Sequence, residues 1–349
     1  VSVAVSPSGA ALTGTLSRTT TSSGVVAFSG IKLNGTVGTY TLTYSSGSLP
    51  SITQSIDLTH GTATNLLVEA PASSANAQEL ASAVVVRVRD ADNNLVTSST
   101  DQVSLSVSGA VLSGTATRNA ESGIATFPGL ALTGTEGTKR FTASVTTPSS
   151  ISAGVDIELT YGTATKLEIV TAASGAVNRT AFTTQPSIRA LDVSGNEVDN
   201  FNTNISVAIS PVGATLTGTT TRAASGSTST FTDLELSGTL GTYTLTYSAT
   251  GLTDASQSIS LAHGSATTLE LVAPSSADNA REISTDVVVR LKDADGNLVT
   301  TGTPEITLSI SGATISGTAV RNLSSGQVSF PGLKFVGLTG AKTLSASIS

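Results

Sequence analysis

The chain contains a displaced copy of itself, and this constrains its fold more than any other feature. Val1-Ser-Val-Ala-Val-Ser-Pro7 returns 204 residues later as Ile205-Ser-Val-Ala-Ile-Ser-Pro211. Val103-Ser-Leu-Ser-Val-Ser-Gly109 returns 203 residues later as Ile306-Thr-Leu-Ser-Ile-Ser-Gly312. A weaker match sits at half that distance. Three junctions keep the same spacing: His60-Gly-Thr-Ala-Thr64, Tyr161-Gly-Thr-Ala-Thr165 and His263-Gly-Ser-Ala-Thr267. A fixed period of about 100 residues means stacked modules. Two kinds alternate. Gly38-Thr-Tyr-Thr-Leu-Thr-Tyr44 and its copy at 241–247 mark one kind, and Val84-Val-Val-Arg87 with Phe127-Pro-Gly-Leu130, copied at 287–290 and 330–333, mark the other. Duplication of a two-module block explains this.

Within a module the period falls to two. Tyr40, Leu42 and Tyr44 share one face and Thr39, Thr41 and Thr43 the other, which is the alternation of a half-buried strand. The third module reads as seven strands, near 166–171, 186–192, 205–210, 214–217, 228–236, 242–248 and 256–262. Seven short alternating strands in about 100 residues predict an immunoglobulin-like sandwich. No segment keeps a helical period over ten residues, and the nearest candidate is Ser73 to Leu80. The expected architecture is all-β: tandem immunoglobulin-like β-sandwich domains in an extended rod. The repeats run 1–60 (first strands missing), 61–161, 162–263 and 264–349 (last strand missing). Short junctions without Pro runs favour direct passage from one module to the next.

Composition narrows the function. Only 12% of residues are charged, about half the usual share, and Ser and Thr take their place. A net charge of −7 argues against nucleic acid, which demands a basic face. With no Cys there is neither a disulfide nor a thiolate site. No apolar run approaches the ~18 residues of a membrane span, so no membrane insertion is expected. A Thr-rich, weakly charged β protein fits an exported, extracellular location.

The order Gly-Thr-Ala-Thr, then Val85 to Asn94, then Leu112-Ser-Gly-Thr115, then Phe231 to Tyr247 resembles the bacterial immunoglobulin-like (Big or invasin-type) repeats of large surface adhesins and fibre proteins. The resemblance covers the whole chain. It implies export to the cell surface and a multidomain rod, and it carries over no catalytic residue.

Val1 aligns with Ile205, a third strand, and Leu344 to Ser349 align with Phe141 to Thr146. The expectation is a window cut from a longer array. Completion of an open module by a strand from a neighbouring chain is the alternative.

Candidate sites are few. Asp90-Ala-Asp-Asn-Asn94, Asp192-Val-Ser-Gly-Asn196 and Asp293-Ala-Asp-Gly-Asn297 place oxygens at positions 1, 3 and 5, like the start of a calcium loop. Asp90, Asp92, Asp293 and Asp295 are the candidate metal ligands. However, Leu95 and Leu298 stand where such a loop needs Gly, and no Glu follows at position 12. Asn or Gly at the fourth place is also what a tight hairpin needs. No other cofactor is expected. His60 and His263, where the second module has Tyr161, read as aromatic plugs at the junctions. Arg87, Arg89, Arg290 and Lys292 read as a solvated stripe guarding a sheet edge. Asn34, Asn178, Asn204 and Asn322 match the glycan-acceptor pattern, which arises often by chance in so Ser/Thr-rich a chain. With two histidines and no nucleophile elbow, no enzyme is expected. The expected role is a structural or adhesive stalk. The alternative is a self-assembling filament, sheath or surface-layer subunit. Expected partners are neighbouring repeats of the same or identical chains, with host or surface glycan or protein bound by a region outside this stretch.

Overall fold

The computed structural model describes residues 1–146 and 150–348, so Ser349 of the predicted closing match lies outside the described residues. These residues form β-strands and turns with no helix among them. The chain divides into two compact units, Val1–Thr163 with Asp192–Asn196, and Ala164–Leu191 with Glu197–Ser349. The described residues are all-β and immunoglobulin-like.

In the first unit the second repeat shows the plan in full. One sheet runs in the order Ile124–Phe127, Val84–Arg89, Asn65–Glu69. The other runs Thr117–Asn119, Gln102–Ser108, Gly137–Val145, Ile151–Thr160, Ser73–Ala75. This is the two-sheet crossover order of an immunoglobulin sandwich. Alternation decides what lies inside. Val84, Val86 and Val88 are fully buried, while Val85, Arg87 and Arg89 are half-buried on the opposite face. They pack with Val103, Leu105, Phe127, Phe141, Ala143, Ile157 and Leu159 as one core. Phe127→Ala would cost about 3–5 kcal/mol by leaving a cavity there.

The first repeat presents strands Ser2–Ser6, Gly38–Ser46 and Leu49–Leu58 in one sheet, and Ala10–Thr13 with Lys32–Gly35 in another. Val3, Tyr40 and Leu42 are buried, whereas Ile52 of Leu49–Leu58 is 70% exposed.

In the second unit the plan recurs twice, around two separate cores. One core spans Leu167 to Leu261 and the other Ile283 to Leu333. In the third repeat, Lys166–Thr171, Ser187–Leu191 and Thr228–Thr230 face Thr221–Ala223, Asn204–Ser210, Gly241–Ser248 and Ala255–Leu261. The predicted strand 228–236 is two strands. Thr228–Thr230 pairs with Ser187–Arg189, and Glu235–Gly238 pairs with Ala214–Thr217. Phe231, Leu234 and Leu236 are all fully buried. The three-residue step from 231 to 234 breaks the alternation and marks where the chain leaves one sheet for another.

Ser73 to Leu80 holds no helical turn. Ser73–Ala75 pairs in parallel with Glu158–Thr160, and Ala77 then adopts a positive φ of 58°. The alternating kinds differ beneath the same loop. Tyr40 and Tyr243 donate from Oη to the carbonyls of Thr36 and Thr239 at 2.7 and 2.6 Å. In the second repeat the buried Lys139 takes that place and donates from Nζ to the Glu136 carbonyl at 3.4 Å.

Candidate functional site

The Asp-x-x-x-Asn turns come from the loop after the central strand of the smaller sheet, Val84–Arg89, Ser187–Leu191 or Val287–Lys292. The Asp293 amide donates to the Asn297 carbonyl at 2.9 Å, and the Gly296 amide donates to the Asp293 carbonyl at 3.1 Å. The fourth residue of each turn (Asn93, Gly195, Gly296) has φ of 68°, 87° and 81°, where Gly and Asn are tolerated best.

Each turn also holds residues outside itself. In the second unit, Asp293 Oδ1 accepts from the amides of Asp295 and Asn297 at 3.0 and 2.9 Å. Its Oδ2 accepts from the Gly264 amide at 3.0 Å and from Asn178 Nδ2 at 2.9 Å. Asn297 Nδ2 donates to the Gly238 carbonyl at 2.9 Å, and Asn297 Oδ1 accepts from the Leu240 amide at 3.3 Å. Asn178 Oδ1 accepts from the Gly238 amide at 3.0 Å. The third repeat's end and the fourth repeat's turn are thereby interlocked through a ring of bonds.

The first unit contains the same ring from other residues. Asp192 Oδ2 accepts from the Gly162 amide and Asn76 Nδ2 at 2.9 and 2.8 Å. Asn196 Nδ2 donates to the Gly134 carbonyl, while Asn196 Oδ1 accepts from the Glu136 amide, both at 2.9 Å. Earlier in that unit Asp90 Oδ2 accepts from the Gly61 amide at 2.8 Å, and Asn94 Nδ2 donates to the Gly35 carbonyl at 2.9 Å. Asp92 Oδ2 accepts from the Gly35 amide at 3.3 Å. The glycines are needed for close approach. A Cβ on Gly162 would lie 2.3 Å from the Asn76 carbonyl oxygen, and one on Gly264 2.7 Å from that of Asn178.

Asp90, Asp192 and Asp293 are buried, and burial opposes their ionisation. Donation from the junction glycine, the turn amides and the Asn side chain outweighs it, so all three carboxyls titrate below the ordinary Asp value. Asp295 is also held low, by hydrogen bonding to Arg179 and then to Asn178. Arg179 grips it through Nε at 2.8 Å and Nη2 at 2.6 Å.

Of the four candidate metal ligands, Asp90 and Asp293 lie at ring centres, with both oxygens accepting N–H donors. Asp92 and Asp295 lie at the rims. Among the described residues no group of three or more His, Cys, Asp or Glu is placed to hold a metal ion. His60 and His263 are half-buried, and each ring Nδ1 engages the carbonyl of the next glycine at 2.9 and 3.0 Å. The basic stripe lies on central strands, so it guards no edge. Arg87 pairs with Glu69 at 3.0 Å, and Arg290 and Lys292 share Glu270 at 3.2 and 3.1 Å. The Asn178 acceptor match is a ring residue, 3% exposed. Asn76, Asn178 and their counterpart Asn279 share no local motif. Their recurrence at the module spacing, 102 and then 101 residues apart, is the signal that finds them.

No protein-family model matches the chain, and no curated protein does. Among solved structures it is similar to FdeC, an Escherichia coli adhesin, with 16% identity over 83% of this chain and 95% of that one, at a TM-score of 0.35. It is similar to invasin, a bacterial integrin-binding protein, with 17% identity, 81% and 57% coverage and a TM-score of 0.31. Bacterial adhesins with immunoglobulin-like domains are thus among its structural neighbours. A β-glycosidase from Bacteroides vulgatus also matches, with 13% identity over 56% of this chain, at a TM-score of 0.25. The chain spans only 24% of that enzyme.

Proposed function

We propose that these repeats are a structural stretch of a large extracellular surface protein, a stalk or spacer that carries a binding region placed elsewhere in the parent polypeptide. The observation that carries this reading is the ring of hydrogen bonds around Asp293, with its counterparts around Asp90 and Asp192. Within the second unit, buried donors and acceptors fix the Asp293 turn against the residues of the third repeat that it meets, which restricts bending there where a flexible linker would allow it. A hydroxyl-rich, weakly charged surface suits a spacer that binds little by itself. Stability then follows as a sum of module and junction contributions. On this reading the chain performs no catalysis, and its Asp turns bind protein donors in place of calcium.

Electron microscopy of the purified chain tests the reading. Separate, unpolymerised particles support the spacer. Ordered filaments or sheets would establish the alternative, in which the repeats themselves assemble into a sheath or surface layer.

A further inference from the structure

Arg179 is one of three residues in one backbone setting. Ala77, Arg179 and Ala280 each follow a ring asparagine, with φ of 58°, 58° and 57°. Their amides donate to Leu132, Leu236 and Phe335 carbonyls at 2.7, 2.9 and 2.8 Å. The backbone being equal, only the side chain differs. The third residue of the Asp turn varies as well: Asp92, Ser194 and Asp295. In the second unit the charged members meet, and Arg179 forks onto Asp295. In the first unit, where Asn76 binds Asp192, the corresponding positions hold Ala77 and Ser194.

We propose that these two positions form a pairing code that sets which kind of repeat is accepted after which. An Arg after the ring asparagine selects a turn with Asp at its third place. An Ala selects a turn with Ser there. A mismatched Asp would stand beside the ionised ring aspartate with no counter-charge, and a mismatched Ser would leave the guanidinium without its fork. The selection thus works by repulsion as well as attraction. The fourth repeat has Asn279 with its Oδ1 accepting from the Gly337 amide at 3.0 Å, as in both rings, and Ala280 beside it. The code assigns it a partner turn of the Asp-x-Ser-Gly-Asn kind. This holds whether the repeats are spacers or assembly subunits.

Hydrogen exchange on the full chain, read at the ring amides Gly134, Gly162, Gly238 and Gly264, tests the code. Ser194→Asp is expected to speed exchange at Gly134 and Gly162 about three- to five-fold. Adding Ala77→Arg restores protection to within about two-fold of the parent. Arg179→Ala with Asp295→Ser turns the charged pair into the neutral kind, and is expected to protect Gly264 better than Asp295→Ser alone. Unchanged exchange in Ser194→Asp, or no rescue by Ala77→Arg, would overturn the code. If Ser194→Asp fails to fold, the Arg179 and Asp295 arm decides: equal exchange in its single and double variants overturns the code.

Discussion

The ring in the first unit built on Asn76, Asp192 and Asn196 and the ring in the second built on Asn178, Asp293 and Asn297 share the same central bonds. They differ at the rim, where one has Ala77 and Ser194 and the other a bidentate ion pair. The centre is buried, and no buried side-chain nitrogen or oxygen there lacks a partner, so each group there is needed by several others. The rim is exposed, with the Arg179 side chain 57% accessible, and it tunes without holding. Position in the ring thus decides the energetic weight of an aspartate, although Asp293 and Asp295 stand two residues apart.

The most disruptive way to break the comparison is at the centre. Asp293→Ala leaves the Gly264 and Asn297 amides without their carboxylate acceptor and takes one of the two acceptors of Asn178 Nδ2, which keeps Asp295 Oδ2 at 2.7 Å, and should destabilise the second unit by about 2–4 kcal/mol in urea unfolding. Asp192→Ala should do the same in the first unit. Asp295→Ala should produce a clearly smaller shift; equal losses at 293 and 295 would erase the distinction between centre and rim.

The junction glycines come next. Gly162→Ala and Gly264→Ala drive a methyl into a carbonyl oxygen at 2.3 and 2.7 Å, and about 1–3 kcal/mol should be lost in each. Gly61→Ala meets only the Asp90 side chain, at 3.6 Å, and should stay close to the parent. Melting temperatures in the order Gly61→Ala, Gly264→Ala, Gly162→Ala, highest first, would sharpen the picture, and the reverse order would refute the close-approach argument.

Acid probes the centres, and with them the rim carboxyl of Asp295. Asp90, Asp192 and Asp293 have folded-state pKa values below the unfolded value of about 3.9, so they add stability that is complete above that pH. That contribution fades as pH falls through their folded values. Unfolding midpoints should be flat from neutral pH to about 5 and drop below about 4. The Asp293→Asn variant should lose part of that acid sensitivity in the second unit.

The smallest expected effect is none. EDTA should leave the melting temperature unchanged, because the oxygens of Asp90 and Asp293 already accept N–H groups. A rise of several degrees on adding calcium would instead make Asp90, Asp92, Asp293 and Asp295 ion ligands.

Much of this fold was legible from alternation. Val84–Arg89 and Gly241–Ser248 read as strands because every second side chain is apolar, and the structure buries those residues. Alternation fails where the chain changes sheets, as at Phe231 to Leu234, since a crossing preserves burial but not parity. It also cannot tell a central strand from an edge, so Arg87 and Arg290 were expected at an edge although cross-strand glutamates neutralise them inside a sheet. The rings were half legible. Their Asp turns stand out, but Asn76 and Asn178 have unlike neighbours, Ala75 and Ala77 against Val177 and Arg179, and meet their carboxylates 116 and 115 positions away. Only tertiary structure brings such groups together.

Asn178 and Asp293 lie in consecutive repeats, so the loss of one repeat reaches the other. If the third repeat opens, Asp293 loses the Asn178 amide and Asn297 loses the Gly238 carbonyl, and the fourth repeat is weakened from outside. Melting within that unit should then be more concerted than two isolated sandwiches would give, and proteolytic damage at one repeat should sensitise its neighbour.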